Sequence, residues 1–159
     1  MNRFVTNLLL AASWAAFQGQ FTLFNLAVGF VIGFGVLWAL QPLMGGPSPY
    51  FRRAWTWSRL LVMFHYELIL GAITVAWDVL TPTQHSRPGM VEVPLDVTSD
   101  TAIFLVTNLI SLTPGTLSLD VSEDRKTLYV HAMFAHDPEA TVKSLKQGME
   151  RWVKEAVET

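Results

Sequence analysis

The chain contains no cysteine among its 159 residues, which excludes disulfide bonds, thiolate zinc sites and cysteine nucleophiles. It also has few charged residues: Asp, Glu, Lys and Arg make up 15% of the sequence, against about 25% in an average soluble domain. The shortage is uneven, because Arg3 is the only charged residue before Arg52. The N-terminal half therefore has the composition of a membrane protein, whereas the C-terminal part has that of a water-soluble domain.

The longest uncharged segment covers residues 21–40, FTLFNLAVGFVIGFGVLWAL. A helix of this length matches the roughly 30 Å hydrocarbon core of a bilayer, and it lacks the polar face that a soluble helix would show. A shorter apolar segment, 4–17, precedes it; it has features of a signal peptide, but the second apolar segment that follows so closely argues against that interpretation. Only three residues separate the two segments, so together they predict a hairpin of two apolar helices.

Gly29 and Gly33 lie on one face of the second predicted helix, since they are four residues apart. Membrane helices associate by close backbone approach at such pairs of small residues, which makes both glycines candidate helix-interface residues. The alternative is that glycine is simply common in membrane helices.

A third apolar helix is predicted over 54–80, and it has two ionisable residues near its middle, His65 and Glu67. Glu67 shares a face with Gly71 and with Asp78, which lies near the helix end where water can reach it, whereas His65 lies on the far side. A carboxylate at membrane depth costs about 2.5–3.5 kcal/mol, so Glu67 should face protein, water or a headgroup. It is a candidate helix-interface residue that anchors another polypeptide, with a proton or cation relay as the alternative.

The sidedness of the third helix is ambiguous. Basic residues favour the cytoplasmic side, and Arg52 and Arg53 precede this helix whereas Arg87 follows it. A single crossing between them would place these basic residues on opposite faces of the membrane. A third helix that is interfacial or steeply tilted would remove the conflict. Two or three full crossings are therefore both compatible with the sequence.

A linker, 81–89, leads into a predicted α+β domain, 90–159, with the order β-α-β-β-α. Its predicted elements are a strand at 90–95, a helix capped within 98–100 and ending near 111, strands at 116–121 and 127–134, and a final helix after Asp137. Alternation places Leu117, Leu119 and Val121 on one face of the second strand, and the apolar stripe of the last helix includes Trp152. The predicted fold class is a membrane protein with two or three N-terminal apolar helices, about 4–17, 21–40 and 54–80, followed by a small cytoplasmic α+β domain.

The sequence has no recognisable catalytic pattern. It contains no GxSxG elbow, no phosphate-binding glycine loop and no HExxH motif. His131 and His136 have no carboxylate at metal-ligand spacing, and the net charge of −2 gives no reason to expect nucleic-acid binding. We therefore expect neither an enzyme nor a protein with a metal or another cofactor.

The stretch Asn108–Met133 resembles the E subunit of the Mrp-type multisubunit cation/proton antiporters. It contains an apolar helix, a T-P-G-T turn at 113–116, a short strand, an acidic turn and a strand with a Y-V-H core at 129–131. The resemblance extends over nearly the whole chain. It implies an accessory component, needed for assembly of a complex that exchanges sodium for protons, with its C-terminal domain in the cytoplasm and the ion paths in larger subunits. It supplies no catalytic residue.

Three functions are compatible with these features. The first is an assembly subunit of a multisubunit antiporter in the cell membrane, whose partners are other membrane subunits and the lipid bilayer. The second is an independent membrane-anchored adaptor that binds a cytoplasmic protein. The third is a small self-associating cation or proton channel that uses Glu67.

Overall fold

The computed structural model describes residues 2–44, 46–82 and 85–158. The chain forms two compact units, residues 1–55 and residues 56–159. Within the described ranges, every strand lies in the second unit, whereas helices occur in both.

The first unit contains a pair of apolar helices, α1 (Arg3–Phe17) and α2 (Leu23–Ala39). Each begins at a side-chain cap: Phe4 N–H donates to the Asn2 side chain, and Asn25 N–H donates to Thr22 Oγ1. Between the helices the backbone reverses at residue 19, a glycine with φ of 67°, a conformation that costs glycine little. The two helices contact each other along their lengths and form the predicted hairpin.

Helix α3 (Pro49–Leu80) starts five residues before the predicted position at residue 54. The predicted start was wrong because Pro49 occupies the first helical position, where its fixed φ suits a helix and its missing N–H is not needed. The helix has 32 residues, and residues 56–80 belong to the second unit. Among the described residues, it is the one helix long and apolar enough to cross a membrane by length and composition.

The second unit has a three-stranded antiparallel sheet of β1 (Gly89–Pro94), β2 (Thr116–Val121) and β3 (Thr127–Ala132) in the spatial order β1-β3-β2. Helix α4 (Asp100–Leu112) connects β1 to β2. The element order of this unit after α3 is therefore β-α-β-β followed by a helical segment.

The core of the second unit lies between the sheet and the helices that cover one of its faces. Its buried side chains come from α3, β1, β3, α4 and the C-terminal helical segment. They include Leu60, Val91, Val93, Val106, Ile110, Leu128, Val130 and Val153.

The prediction that Leu117, Leu119 and Val121 share one face of β2 was wrong. Leu117 and Leu119 are 49% and 52% exposed, whereas Val121 packs against the core. The register of β2 against β3 shifts between Ser118 and Asp120, and this bulge reverses the alternation. The inward-facing residue before the bulge is Ser118, which is polar. Its backbone N–H donates a hydrogen bond to Ser111 Oγ on α4 at 3.0 Å.

The C-terminal helical segment begins as predicted, with Ala140 N–H donating to the Asp137 side chain and a proline at the first position. It is not one regular helix. A π turn, Lys146–Glu150, separates α5 (Pro138–Leu145) from α6 (Arg151–Val157). Trp152 is 8% exposed and belongs to the core, as its position on the apolar stripe predicted.

Candidate functional site

The glycine face of α2 packs against α1 of the same chain. A Cβ atom at Gly29 would lie 2.7 Å from Trp14 Cβ and 2.9 Å from Ala11 O. A Cβ atom at Gly33 would collide with Asn7 Oδ1 and approach Leu10 Cβ to 3.1 Å. Both glycines therefore allow a backbone approach that a larger residue would prevent.

Asn7 is the polar residue of this contact, and the sequence analysis did not single it out. It is fully buried, and its Nδ2 donates to Tyr50 Oη at 3.0 Å. Its Oδ1 has no hydrogen-bond donor among the described residues and lies against Gly33. The sequence contained one signal for this role: Asn7 is an amide side chain within an apolar segment, and such polar groups in membrane helices usually make contacts between helices.

Arg3 connects the start of the hairpin to the segment that follows α2. Its Nη2 donates to Met44 O at 3.1 Å and to Gly46 O at 3.0 Å. Its guanidinium also lies 5.8 Å from the centre of the Phe51 ring, a cation–π distance. The one charged residue of the hairpin is thus used for internal contacts.

Glu67 lines a cavity of about 400 Å³ in the second unit. Its carboxylate is half-buried and forms no hydrogen bond or ion pair with any residue the structure describes. The remaining wall comes from α3, the T-P-G-T turn at 113–116, the segment before α5, and the helices that follow. Lining residues include Gly71, Thr74, Ile110, Thr113, Pro114, Thr116, Phe134, Thr141 and Met149.

The polar groups of this cavity are mostly acceptors. Thr74, Thr113 and Thr141 each donate their hydroxyl proton to a backbone carbonyl four residues earlier, at 2.9 Å. Their oxygen lone pairs and the Glu67 carboxylate remain available to accept. Such a lining suits a hydrogen-bond donor from another polypeptide.

Gly71 marks the closest approach between α3 and the T-P-G-T turn. A Cβ atom at Gly71 would lie 2.9 Å from Pro114 O and 3.3 Å from Pro114 Cδ. The turn itself is closed by Thr116 Oγ1, which donates to Ile110 O at 2.7 Å, and by Gly115 with φ of 91°. The T-P-G-T turn, which is part of the family resemblance, therefore packs on the face of α3 that contains Glu67 and Gly71.

The prediction that water reaches Asp78 was wrong. Asp78 is 5% exposed, and its Oδ1 accepts hydrogen bonds from His85 N–H at 2.5 Å and Ser86 N–H at 3.2 Å. The carboxylate is covered because residues 85 and 86 fold back onto the end of α3. His65, by contrast, is exposed, with its Nδ1 2.8 Å from Leu61 O.

A second buried carboxylate, Glu150, was not singled out from the sequence. It is 2% exposed, lies in the π turn and accepts hydrogen bonds from Asp96 N–H at 2.5 Å and Val97 N–H at 3.3 Å. Lys146 Nζ lies 3.5 Å from Glu150 and 2.8 Å from Asp96 Oδ2. The hydrogen bond from Lys146 lowers the pKa of Asp96, despite partial desolvation. This cluster fixes the chain between β1 and α4 and has the character of a structural contact.

Comparison with known proteins decides the family. The family model described as MNHE, Na+/H+ ion antiporter subunit, matches residues 7–156. The chain belongs to this family. The resemblance to the E subunit of Mrp-type antiporters that the T-P-G-T and Y-V-H segments indicated is thereby confirmed.

Relatives in this family match the chain over almost its whole length. It is 37% identical to the E subunit of the Na(+)/H(+) antiporter of Alkalihalophilus pseudofirmus over 149 residues, 94% of each chain. It is 35% identical to the E1 subunit of the Na(+)/H(+) antiporter of Staphylococcus haemolyticus, covering 97% of this chain and 96% of that one.

Two solved structures are similar to this member of the family. A chain of the Mrp complex from Dietzia sp. DQ12-45-1b matches with a TM-score of 0.50 and 27% identity, covering 63% of this chain and 94% of that one. A chain of the membrane-bound sulfane sulfur reductase, an archaeal respiratory membrane complex, matches with a TM-score of 0.53 and 20% identity over 100% of both chains. The second likeness concerns the fold alone.

Proposed function

We propose that this protein is an accessory subunit of a multisubunit monovalent cation/proton antiporter, and that it supports assembly of the complex instead of forming the ion path. The observation that carries the proposal is the family match over residues 7–156, together with relatives named as sodium/proton antiporter subunits. The protein then acts as a component of a transporter, with sodium and protons as the transported ions.

The distribution of acidic residues supports an accessory role. Glu67 is the first acidic residue of the chain, so the hairpin α1–α2 contains no carboxylate. Proton and cation paths through membranes use ionisable side chains, and the one charged side chain of this hairpin, Arg3, is engaged by backbone carbonyls. Two helices of 15 and 17 residues are also too few to enclose a path.

The outer sides of the hairpin are suited to lipid and to neighbouring subunits. Phe24, Val31 and Trp38 on α2 are 75%, 70% and 64% exposed. Apolar side chains of this size exposed in a row mark a membrane or protein contact surface. The closest packing face of α2 is already occupied by α1, so the remaining faces are the ones left for partners.

For the location, we propose a multi-pass protein of the cell membrane with a cytoplasmic C-terminal domain. Residues 1–80 form the membrane-associated part, 81–89 the linker and 90–159 the cytoplasmic α+β domain. The concentration of 18 of the 24 charged residues from Arg87 onward supports this division. The basic residues Arg52 and Arg53 support a cytoplasmic position for the start of α3.

The experiment is removal of this subunit from an antiporter that otherwise has all its components, followed by complementation with the full chain. Two quantities are measured: the amount of complex that purifies in mild detergent, and cation-driven proton movement in everted vesicles. We expect both to fall together and to be restored together. A complex that assembles in normal amount but does not transport would overturn the accessory role. Unchanged antiport would favour the independent adaptor.

A role of Glu67 in ion movement is the second candidate function. One observation favours it: no described residue pairs with the Glu67 carboxylate, which lines a cavity large enough for hydrated ions. The two roles differ in what a neutral amide at this position should do.

A further inference from the structure

The two faces of α3 have opposite chemistry, and the α/β domain contacts one of them between Leu60 and Gly71. Near the start of this contact Leu60 belongs to the core, and at its edge Arg59 Nη1 lies 2.5 Å from Glu155 Oε2 on α6. Further along, Gly71 packs on the T-P-G-T turn. At the end, Asp78 accepts hydrogen bonds from the segment that leads into β1.

The opposite face of α3 is apolar and uncovered. Val62, Ile69 and Leu80 lie within about 20° of each other around the helix at 100° per residue, and they are 62%, 58% and 79% exposed. Both acidic residues of the helix, Glu67 and Asp78, lie away from this face. The distribution is the reverse of a soluble helix, which would turn its apolar face to the domain and its charges outward. Other exposed apolar side chains around this face are Leu61, Tyr66, Ile73 and Trp77.

The covered length argues against a crossing by α3. Contacts with the domain run from Arg59 to Gly71, which is about 18 Å of helix and more than half the thickness of the hydrocarbon core. If α3 crossed the bilayer, the domain beside it would lie at membrane depth over the same length. Exposed charged groups such as Arg151 and Glu139 would then be inside or beside hydrocarbon, where they are strongly disfavoured.

The geometry points to an interfacial position for α3: the helix lies along the membrane surface, with its apolar face in the headgroup and acyl boundary and the α/β domain on its other face. Aromatic side chains that prefer this boundary occur near both ends of the exposed surface, at Trp55 and Trp77. The helix has three arginines before residue 60 and no acid before Glu67, which favours contact with anionic lipid. The occupant of the apolar face is therefore lipid, and this inference does not depend on the antiporter assignment.

The interfacial position also resolves the conflict between the basic segments. Without a crossing by α3, the segment containing Arg52 and Arg53 and the domain that follows Arg87 lie on the same side of the membrane. Both then satisfy the preference of basic residues for the cytoplasm. The crossings are then left to the hairpin, whose helices of 15 and 17 residues are shorter than α3 but contain no charged residue other than Arg3.

Depth measurement along the exposed face of α3 tests this inference in the full-length protein, assembled in its complex and reconstituted in bilayers. Because the natural chain has no cysteine, single variants Val62→Cys, Ile69→Cys and Leu80→Cys can each carry one nitroxide label. Collision rates with oxygen and with a water-soluble nickel complex give the depth of each label, and Glu123→Cys in the exposed turn is the aqueous control. We expect the three labels at one shallow depth, equal within about one helical turn, roughly 5 Å.

Two results would overturn the inference. If Ile69 is deepest and the other two labels lie near opposite surfaces, α3 crosses the membrane. If none of the three labels contacts lipid, another subunit covers this face.

Thiol labelling of intact cells adds an independent readout of sidedness. Ser48→Cys and Ser122→Cys should react alike with a membrane-impermeant reagent, both protected from outside and both labelled in everted vesicles. Labelling from opposite sides would again indicate a crossing. Co-purification of the other subunits, measured on the same samples, reports separately on the proposed function.

Discussion

Asn7 and Gly33 oppose each other across the α1–α2 hairpin with room for a hydrogen atom but not for a methyl group. A Cβ atom on Gly33 would collide with Asn7 Oδ1, and Asn7 is held in place by its hydrogen bond to Tyr50 Oη. The buried Asn7 side chain therefore fits between the two apolar helices because the residue opposite it, Gly33, has no side chain. The pair limits what can be substituted in the hairpin, and it provides the first prediction.

Gly33→Ala should separate α1 from α2 and lower the amount of subunit in the membrane and in the purified complex. Gly35→Ala is the matched control, because a Cβ atom at Gly35 meets no atom within 4 Å. The measurement is the yield of each variant in membranes and its co-purification with the other subunits. Equal yields of the two variants would contradict the packing role of Gly33.

Trp152→Ala should destabilise the α/β domain by about 3–5 kcal/mol, because it leaves a cavity in the core. A domain of this size has little more stability than that in total. Trp152→Phe is the control: the indole Nε1 has no hydrogen-bond partner among the described residues, so its loss should be tolerated. Resistance of the full-length protein to limited proteolysis is the measurement. A normal digestion pattern for the alanine variant would place Trp152 outside the core.

Glu158 should contribute a pH-dependent part of the domain's stability. Backbone N–H groups of Ser99 and Thr98 each donate to its Oε1 at 2.8 Å, and these bonds lower the pKa of Glu158. A carboxyl group whose pKa is lower in the folded state stabilises the fold above its unfolded pKa, about 4.3 for glutamate, and this contribution disappears as the pH falls through the folded pKa.

Glu158→Gln should therefore lower stability by on the order of 1 kcal/mol at pH 7, and the difference from the natural chain should shrink below about pH 4. Thermal unfolding of the full chain in mild detergent at the two pH values measures this. A difference that grows as the pH falls would have the wrong sign for the proposed bond.

Local signals in the sequence were sufficient for most of the elements. The cap at Ser99 and the Asp137–Pro138 start of α5 depend on residues within one helical turn, so they could be predicted. The burial of Glu150 could not, because its partners Asp96 and Val97 are more than 50 positions away along the chain. The shift in β2 also depends on its pairing with β3, and strict alternation hides it.

The candidate site shows the same division between local and distant information. The spacing of Gly29 and Gly33 predicts a common face, but the sequence does not say that this face meets α1 of the same chain. The face shared by Glu67, Gly71 and Asp78 follows from helical periodicity. Glu67 and Gly71 turn to the α/β domain, whereas Asp78 is covered by residues 85 and 86 of the linker. Helical periodicity does not encode which residues lie against this face. Gly71 packs against Pro114, more than 40 residues later in the chain, and Asp78 accepts a hydrogen bond from His85, seven residues later.

The last prediction concerns Glu67, where the two candidate roles differ. If Glu67 anchors another polypeptide by accepting a hydrogen bond from an uncharged donor in the cavity, Glu67→Gln should be mild, because glutamine keeps the shape and one acceptor and removes a charge that is costly to bury. Glu67→Ala should be worse, since a partner donor would lose its acceptor in a largely apolar cavity. The measurements are cation-driven proton movement in everted vesicles and the amount of complex in the same preparation.

A relay would give a different order of effects. Neither glutamine nor alanine can take up and release a proton near neutral pH, so both variants would abolish transport to the same extent if Glu67 carried protons. We expect the glutamine variant to retain most of the transport activity per assembled complex, and the alanine variant to lose complex before it loses activity per complex. A fully assembled glutamine variant without transport would contradict the anchoring role, because its only missing property is the ionisable group. That result would place α3 beside the ion path despite the absence of any acidic residue in the hairpin.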